Sequence, residues 1–153
     1  MERFKIVKDL QKIDIDIERD ELKFHQKRVL VSKSFTFDAA HHLHCYEGKC
    51  KTLHGHTYEV IFGVSGYPNE IGLVIDFGDI KKIWKDQIEI HLDHQYLNQS
   101  LPKMNTTAEN MVVWIFEQMD QFLNELNQNE LRVEFVKLYE TPTSYAEARR
   151  EWM

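Results

Sequence analysis

Two stretches of this chain carry an apolar alternation that ends in histidine. Phe35, Phe37, Ala39 and His41 share one parity, and so do His54, His56, Tyr58, Val60, Phe62 and Val64. Side chains alternate faces along a strand with a period of two, so each run predicts a strand whose apolar face continues into imidazoles. A fold that uses both strands must set His41, His54 and His56 at the rim of its core, partly dehydrated and rigidly held. Cys50 stands four residues before His54, so a thiol falls in the same short span. Neutral imidazole is a common zinc ligand, and a site with three protein ligands keeps a position for water or substrate, as catalytic zinc sites do. The competing reading is a closed structural site made of Cys45, Cys50, His54 and His56. Its spacing is cramped for a zinc finger, and it leaves His41 unexplained.

A chain of 153 residues is long enough for one domain with its own core. Residues 1–28 are charged and weakly patterned and are expected to be an N-terminal extension. In it Ile13, Ile15 and Ile17 alternate with acidic residues, as a mobile arm or a short strand would. The single folded domain is expected over 29–153. The net charge of -6 argues against non-specific nucleic-acid binding and leaves room for an anionic small substrate in a locally basic pocket. No apolar run approaches a membrane span, and the N-terminus lacks the apolar core of a signal peptide. The expected setting is therefore the cytoplasm, with no membrane or nucleic-acid partner and no disulfide between the two cysteines.

Beyond the second strand, Gly66 to Gly72 reads as a turn. Asp76-Phe77-Gly78-Asp79 resembles a helix start, followed by Ile80, Ile83, Trp84 and Ile88 at helical spacing. A loop is expected from about Leu92 to Asn105. A longer helix is expected from about Thr107 to Leu126, with Met111, Ile115, Met119, Phe122 and Leu126 as its stripe. Leu131 to Glu140 is strand-like and apolar on both parities, which suggests that a second layer or a neighbouring subunit covers it. A turn at Pro142 leads to a last short strand. The order ββααββ predicts an α+β domain: an antiparallel sheet with two helices on one face.

The candidate chemistry is spread along this frame. Cys50, flanked by Lys49 and Lys51, is a candidate proton acceptor, since nearby cations and a metal favour thiolate. Cys45 fits the role of a small packed residue better. Asp93 beside His94 could fix an imidazole tautomer and relay a proton, with His91 as the competitor. Glu140 at a strand end could accept paired N–H bonds from a flat nitrogen heterocycle. Thr106 to Glu109 matches a capping box with Thr106 as N-cap, so any role of Thr107 or Glu109 in substrate binding would be additional. His42 and His44 read as loop or opposite-face residues, and His25 as a surface one.

In order, Phe37-Asp38-Ala39-Ala40-His41, Cys50-x-x-x-His54-Gly55-His56-x-Tyr58, Val74-Ile75-Asp76-Phe77, Leu92-Asp93-His94-x-x-Leu97-Asn98, Thr107-x-Glu109-Asn110 and Glu140-Thr141 resemble the 6-pyruvoyl-tetrahydropterin synthase family. Within it they are most similar to the 6-carboxy-tetrahydropterin synthases of the queuosine (7-deazaguanine) pathway. The resemblance implies the tunnelling fold, in which several subunits join their sheets into a β-barrel with active sites near the interfaces. It also implies a catalytic Zn2+ on His41, His54 and His56, with Cys50 as proton acceptor and Asp93–His94 as relay. Glu140 would hold the pterin, with Thr107 and Glu109 also at the substrate. The implied substrate is 7,8-dihydroneopterin triphosphate, and the implied lyase products are 6-carboxy-5,6,7,8-tetrahydropterin, acetaldehyde and triphosphate. The biopterin branch would stop at the 6-pyruvoyl product. Folate-branch relatives place a glutamate at or just after the cysteine, where this chain has Lys51. The segment before Ser34 and the ending Ala146 to Trp152 depart from the family pattern.

Overall fold

The alternation that ends in histidine does form two strands. In the computed structural model, which describes residues 15–153, they are β1, Val29–His41, and β2, His54–Gly66. They pair antiparallel with Phe37 opposite Tyr58, Ala39 opposite His56 and His41 opposite His54. This register puts both apolar parities on one face, where Phe37, Tyr58, Val60, Phe62 and Val64 are buried. Phe37 stacks on Tyr58 with ring centroids 4.8 Å apart. The opposite parity of β1, including Ser32, Ser34, Thr36 and Asp38, faces away from this core.

Helix α1, Phe77–Ile83, starts at Asp76, whose carboxylate accepts from the Gly78 N–H at 2.7 Å. It runs on as a π-helical turn, Trp84–Ile88, and a 3-10 turn, Glu89–His91. Ile80, Trp84 and Ile88 are buried at the expected spacing. The stretch expected to be a loop holds two short elements instead: β3, Gln95–Tyr96, and helix α2, Leu97–Ser100. Strand β3 runs parallel to β1 at Ala39 and Ala40, so the sheet is mixed at this edge rather than wholly antiparallel. Leu92, Leu97 and Leu101 hold the segment to the core. Elements of two and four residues are too short to leave a periodic signal.

The long helix α2 leads to is α3, Ala108–Glu125. Its buried residues are Met111, Val112, Ile115, Phe116, Met119 and Leu123. The expected stripe is therefore corrected at its end: Leu123 is buried, Phe122 lies at the edge, and Leu126, the C-cap, is exposed. The N-cap is also corrected. Thr107, not Thr106, caps the helix, its hydroxyl accepting from the Asn110 N–H at 3.2 Å. Asn110 thus stands where a capping box needs an acid.

Strands β4, Arg132–Thr141, and β5, Ser144–Arg149, complete a five-stranded sheet in the order β3-β1-β2-β4-β5. Val64 pairs with Val133 and Gly63 with Phe135, so Glu134 is an extra residue in a β-bulge. The bulge switches parity, and Val133, Val136 and Leu138 all reach the same core. Apolar residues of both parities arise largely from this device. Side chains hold the backbone there. Asp120 accepts from the Val133 N–H at 2.9 Å, Arg150 donates to the Val133 carbonyl at 2.6 Å, and Arg150 pairs with Asp120.

Helices pack on one face of an open sheet, which makes the chain an α+β fold. Among residues 15–28 there is only a 3-10 turn, Arg19–Glu21, and Ile15 and Ile17 are exposed. Ile13 lies outside the described residues. Among the described residues no helix is long and apolar enough to cross a membrane.

Candidate metal centre

The cross-strand pairing of β1 and β2 brings His41, His54 and His56 together at one end of the core face. Their ligating nitrogens lie within 4.8 Å of one another. His41 is 1% exposed. Its Nδ1 lies 2.7 Å from the Thr106 carbonyl oxygen and 3.2 Å from the Thr106 hydroxyl. A carbonyl only accepts, so the proton sits on Nδ1 and Nε2 presents a lone pair. His54 does the same, with Nδ1 2.7 Å from the Thr52 carbonyl oxygen. The Nε2 atoms of all three histidines are buried and have no hydrogen-bond partner. Buried polar atoms are normally satisfied, so three orphaned imidazole nitrogens at one point are what a metal would complete. Fixing the tautomer through the second nitrogen is the usual outer support of histidine ligands. The residues present fit a divalent transition metal.

No cysteine sulfur joins this group. The closed set of Cys45, Cys50, His54 and His56 is therefore not assembled: Cys45 is exposed, and Cys50 is half-buried in the 3-10 turn Lys49–Lys51. That turn closes the loop between β1 and β2, where the Leu43 N–H donates to the Cys50 carbonyl at 2.9 Å.

Glu140 comes from β4. Its Oε1 lies 3.4 Å from His41 Nε2 and 3.5 Å from His56 Nε2. It thus stands beside the imidazoles at a distance from them in sequence that no local motif could bridge. Burial lowers the pKa of His41 and His56, against the raising effect of the Glu140 carboxylate. Burial also pushes the Tyr58 phenol above the usual tyrosine range, with Glu140 adding to the effect. A cleft of about 710 Å³ runs past His56, Tyr58, Tyr139, Glu140 and Pro142.

Asp93 and His94 form a pair, with Asp93 Oδ2 2.9 Å from His94 Nδ1. Backbone contacts anchor it to β1: the Asp38 N–H donates to Asp93 Oδ1 at 3.0 Å, and the His94 N–H to the Asp38 carbonyl at 2.6 Å. The Thr57 hydroxyl in turn donates to Asp38 at 2.5 Å. His94 is exposed and has a left-handed φ of 56°. Donating a hydrogen bond to the Asp93 carboxylate raises the His94 pKa. Asp38 and Thr57 have the parity that faces away from the core, so within one chain this pair lies across the sheet from the imidazoles. A second cleft, of about 610 Å³, is lined by Asp38, Thr57, His94 and Tyr96 and shares Gly55, His56 and Thr57 with the first.

Thr107 is engaged as a helix cap and Glu109 is exposed on the first turn of α3; neither lines the two clefts. The sequence reading missed Thr106, which is fully buried as the partner of His41, because its position before a helix matched a cap. It also missed Asn98 and Asn105. Each side-chain amide pairs with both backbone groups of one loop residue, Asn98 with His42 and Asn105 with His44. An isolated asparagine in a loop carries no sign of so distant a partner.

The family model described as 6-pyruvoyl tetrahydropterin synthase matches residues 30–151. A Haemophilus influenzae protein named 6-carboxy-5,6,7,8-tetrahydropterin synthase is 34% identical, over 76% of this chain and 96% of its own. A Synechocystis sp. protein of the same name is 37% identical, over 60% of this chain and 75% of its own. The structure of Caenorhabditis elegans 6-pyruvoyl tetrahydropterin synthase superposes with a TM-score of 0.71 at 23% identity, covering 83% of this chain and 99% of that one, which supports the tunnelling fold. The chain belongs to the 6-pyruvoyl tetrahydropterin synthase family.

Proposed function

We propose that this chain is a zinc-dependent lyase that converts 7,8-dihydroneopterin triphosphate to 6-carboxy-5,6,7,8-tetrahydropterin, acetaldehyde and triphosphate, in queuosine biosynthesis in the cytoplasm. The observation that carries the zinc chemistry is the convergence of three orphaned Nε2 atoms, with the tautomers of His41 and His54 held from behind. The names of the Haemophilus and Synechocystis relatives favour the carboxy product.

A bound zinc would supply Lewis acidity toward the hydroxyls of the substrate side chain. The other roles fall to the chain itself. His41, His54 and His56 hold the site in place, with Thr106 and Thr52 orienting the first two. Glu140, beside the imidazoles, accepts N–H bonds from the pterin ring. Cys50 takes a proton from the substrate, and His94, held by Asp93, passes protons on. Thr107 and Glu109, at the start of α3 and outside the two clefts, are assigned to the part of the substrate that extends beyond them. Because the Asp93–His94 pair lies across the sheet from the imidazoles of its own chain, we assign it to the site of a neighbouring copy in a homo-oligomer. The folded synthase unit is 29–153, with 1–28 as an extension.

Product analysis tests this reading. Zinc-loaded protein given 7,8-dihydroneopterin triphosphate is expected to release acetaldehyde and a carboxy-pterin, identified by mass. A 6-pyruvoyl pterin without acetaldehyde would move it to the biopterin branch, and no turnover would reject the lyase assignment.

A further inference from the structure

Tyr58 has no part in the reaction proposed above, yet its environment is unusual. It is fully buried, and its hydroxyl has no hydrogen-bond partner. A buried, unpaired hydroxyl destabilises a fold, and a phenylalanine would fill the same space without that cost. The ring itself is well placed: it stacks on Phe37 and meets His56 edge-on, with centroids 5.6 Å apart.

Glu140 is a partly exposed carboxylate whose inner oxygen meets no side-chain donor. Its Oε1 faces Nε2 of His41 and His56 at 3.4 and 3.5 Å. His41 Nδ1 already carries the ring proton, so its neutral imidazole offers Glu140 a lone pair, not a donor. The hydroxyl and the carboxylate adjoin. Glu59 pairs with Tyr139 at the end of this antiparallel ladder, after Val60 with Leu138, so continuing the register by one residue sets Tyr58 beside Glu140. Side chains directly opposite on one face of such a pair are in reach of each other.

We propose that Tyr58 is a positioning residue whose phenolic O–H donates to the Glu140 carboxylate once a divalent cation engages the three imidazole nitrogens. The pairing turns one carboxylate oxygen to Tyr58 and leaves the other to meet the substrate ring. It rests on the metal reading of the histidine cluster.

The test compares thermal unfolding of wild type, Tyr58→Phe, Glu140→Ala and the double variant, each metal-free and at saturating zinc. Tyr58→Phe keeps the ring stack and the fold. Without zinc it is expected to leave Tm unchanged or raise it. With zinc it is expected to lower Tm by about 3–6 °C, the loss of one hydrogen bond to a charged group. In the Glu140→Ala background that reversal of sign is expected to disappear. One equivalent of zinc bound, by metal analysis, with the same Tm change in both states would overturn the pairing alone. A protein that takes up no zinc would overturn the metal reading and the pairing with it.

Discussion

At the residue scale the site depends on which nitrogen of each histidine carries a proton. Thr106 and Thr52 decide this with carbonyl oxygens 2.7 Å from Nδ1 of His41 and His54. His41→Ala is therefore expected to remove most of the bound metal, about a hundredfold in affinity or more given how strongly even outer support matters. Metal analysis after dialysis checks this, and undiminished occupancy would refute the ligand assignment. Protons compete for the same atoms. Burial holds His41 and His56 below the ordinary value of 6.5, so the unfolded chain takes up protons first. The sign follows: the metal-free protein keeps this stability above that value and loses it as the pH falls below it. Its Tm is expected to be lower at about pH 5 than at about pH 7.5, and the fall to be shallower in His56→Gln. An equal slope in that variant would assign the effect to other groups.

At the element scale the β4 bulge sets where Glu140 arrives. Glu134 is the residue that does not pair, and the strand's parity changes across it. Asp120 and Arg150 satisfy the Val133 amide and carbonyl at that point. Asp120→Ala leaves the Val133 amide unpaired and removes the ion pair to Arg150, so a loss of about 1–3 kcal/mol is expected in urea unfolding. A midpoint unchanged from wild type would mean the bulge holds without it. Across the same rung, a Cβ on Gly63 would stand 2.2 Å from the Phe135 ring. Gly63→Ala must displace that ring, and a destabilisation of about 1–3 kcal/mol is expected.

At the scale of the whole molecule the sheet is open, with β3 and β5 at its edges, and the Asp93–His94 pair is on the face turned away from the imidazoles. A site that needs both requires two chains. Cys50→Ala and His94→Ala are each expected to be inactive. Unfolded together and reassembled at equal amounts, they are expected to recover about a quarter of wild-type activity, since a random closed assembly restores one intact Cys50–His94 pairing in four. No recovery would put both residues in the site of a single chain.

The amino-acid sequence by itself determined the two histidine-tipped strands, the start of α1 at Asp76, the long helix and the ordered motifs of the family. Each of these is local: a period of two, a period near 3.6, or a cap within three residues. The same locality explains the errors. Thr106 and Thr107 both precede a helix, and only the position of His41, 65 residues away, makes the first its partner and leaves the second as the cap. The change of parity in β4 could not be placed from the sequence because a bulge is visible only against the strand it pairs with. Elements β3 and α2 are too short for periodicity and exist through their contacts with β1 and the core. Glu140 beside His41, and Tyr58 facing it without a partner, were decided by tertiary structure alone, because register between distant strands fixes which polar groups are buried together.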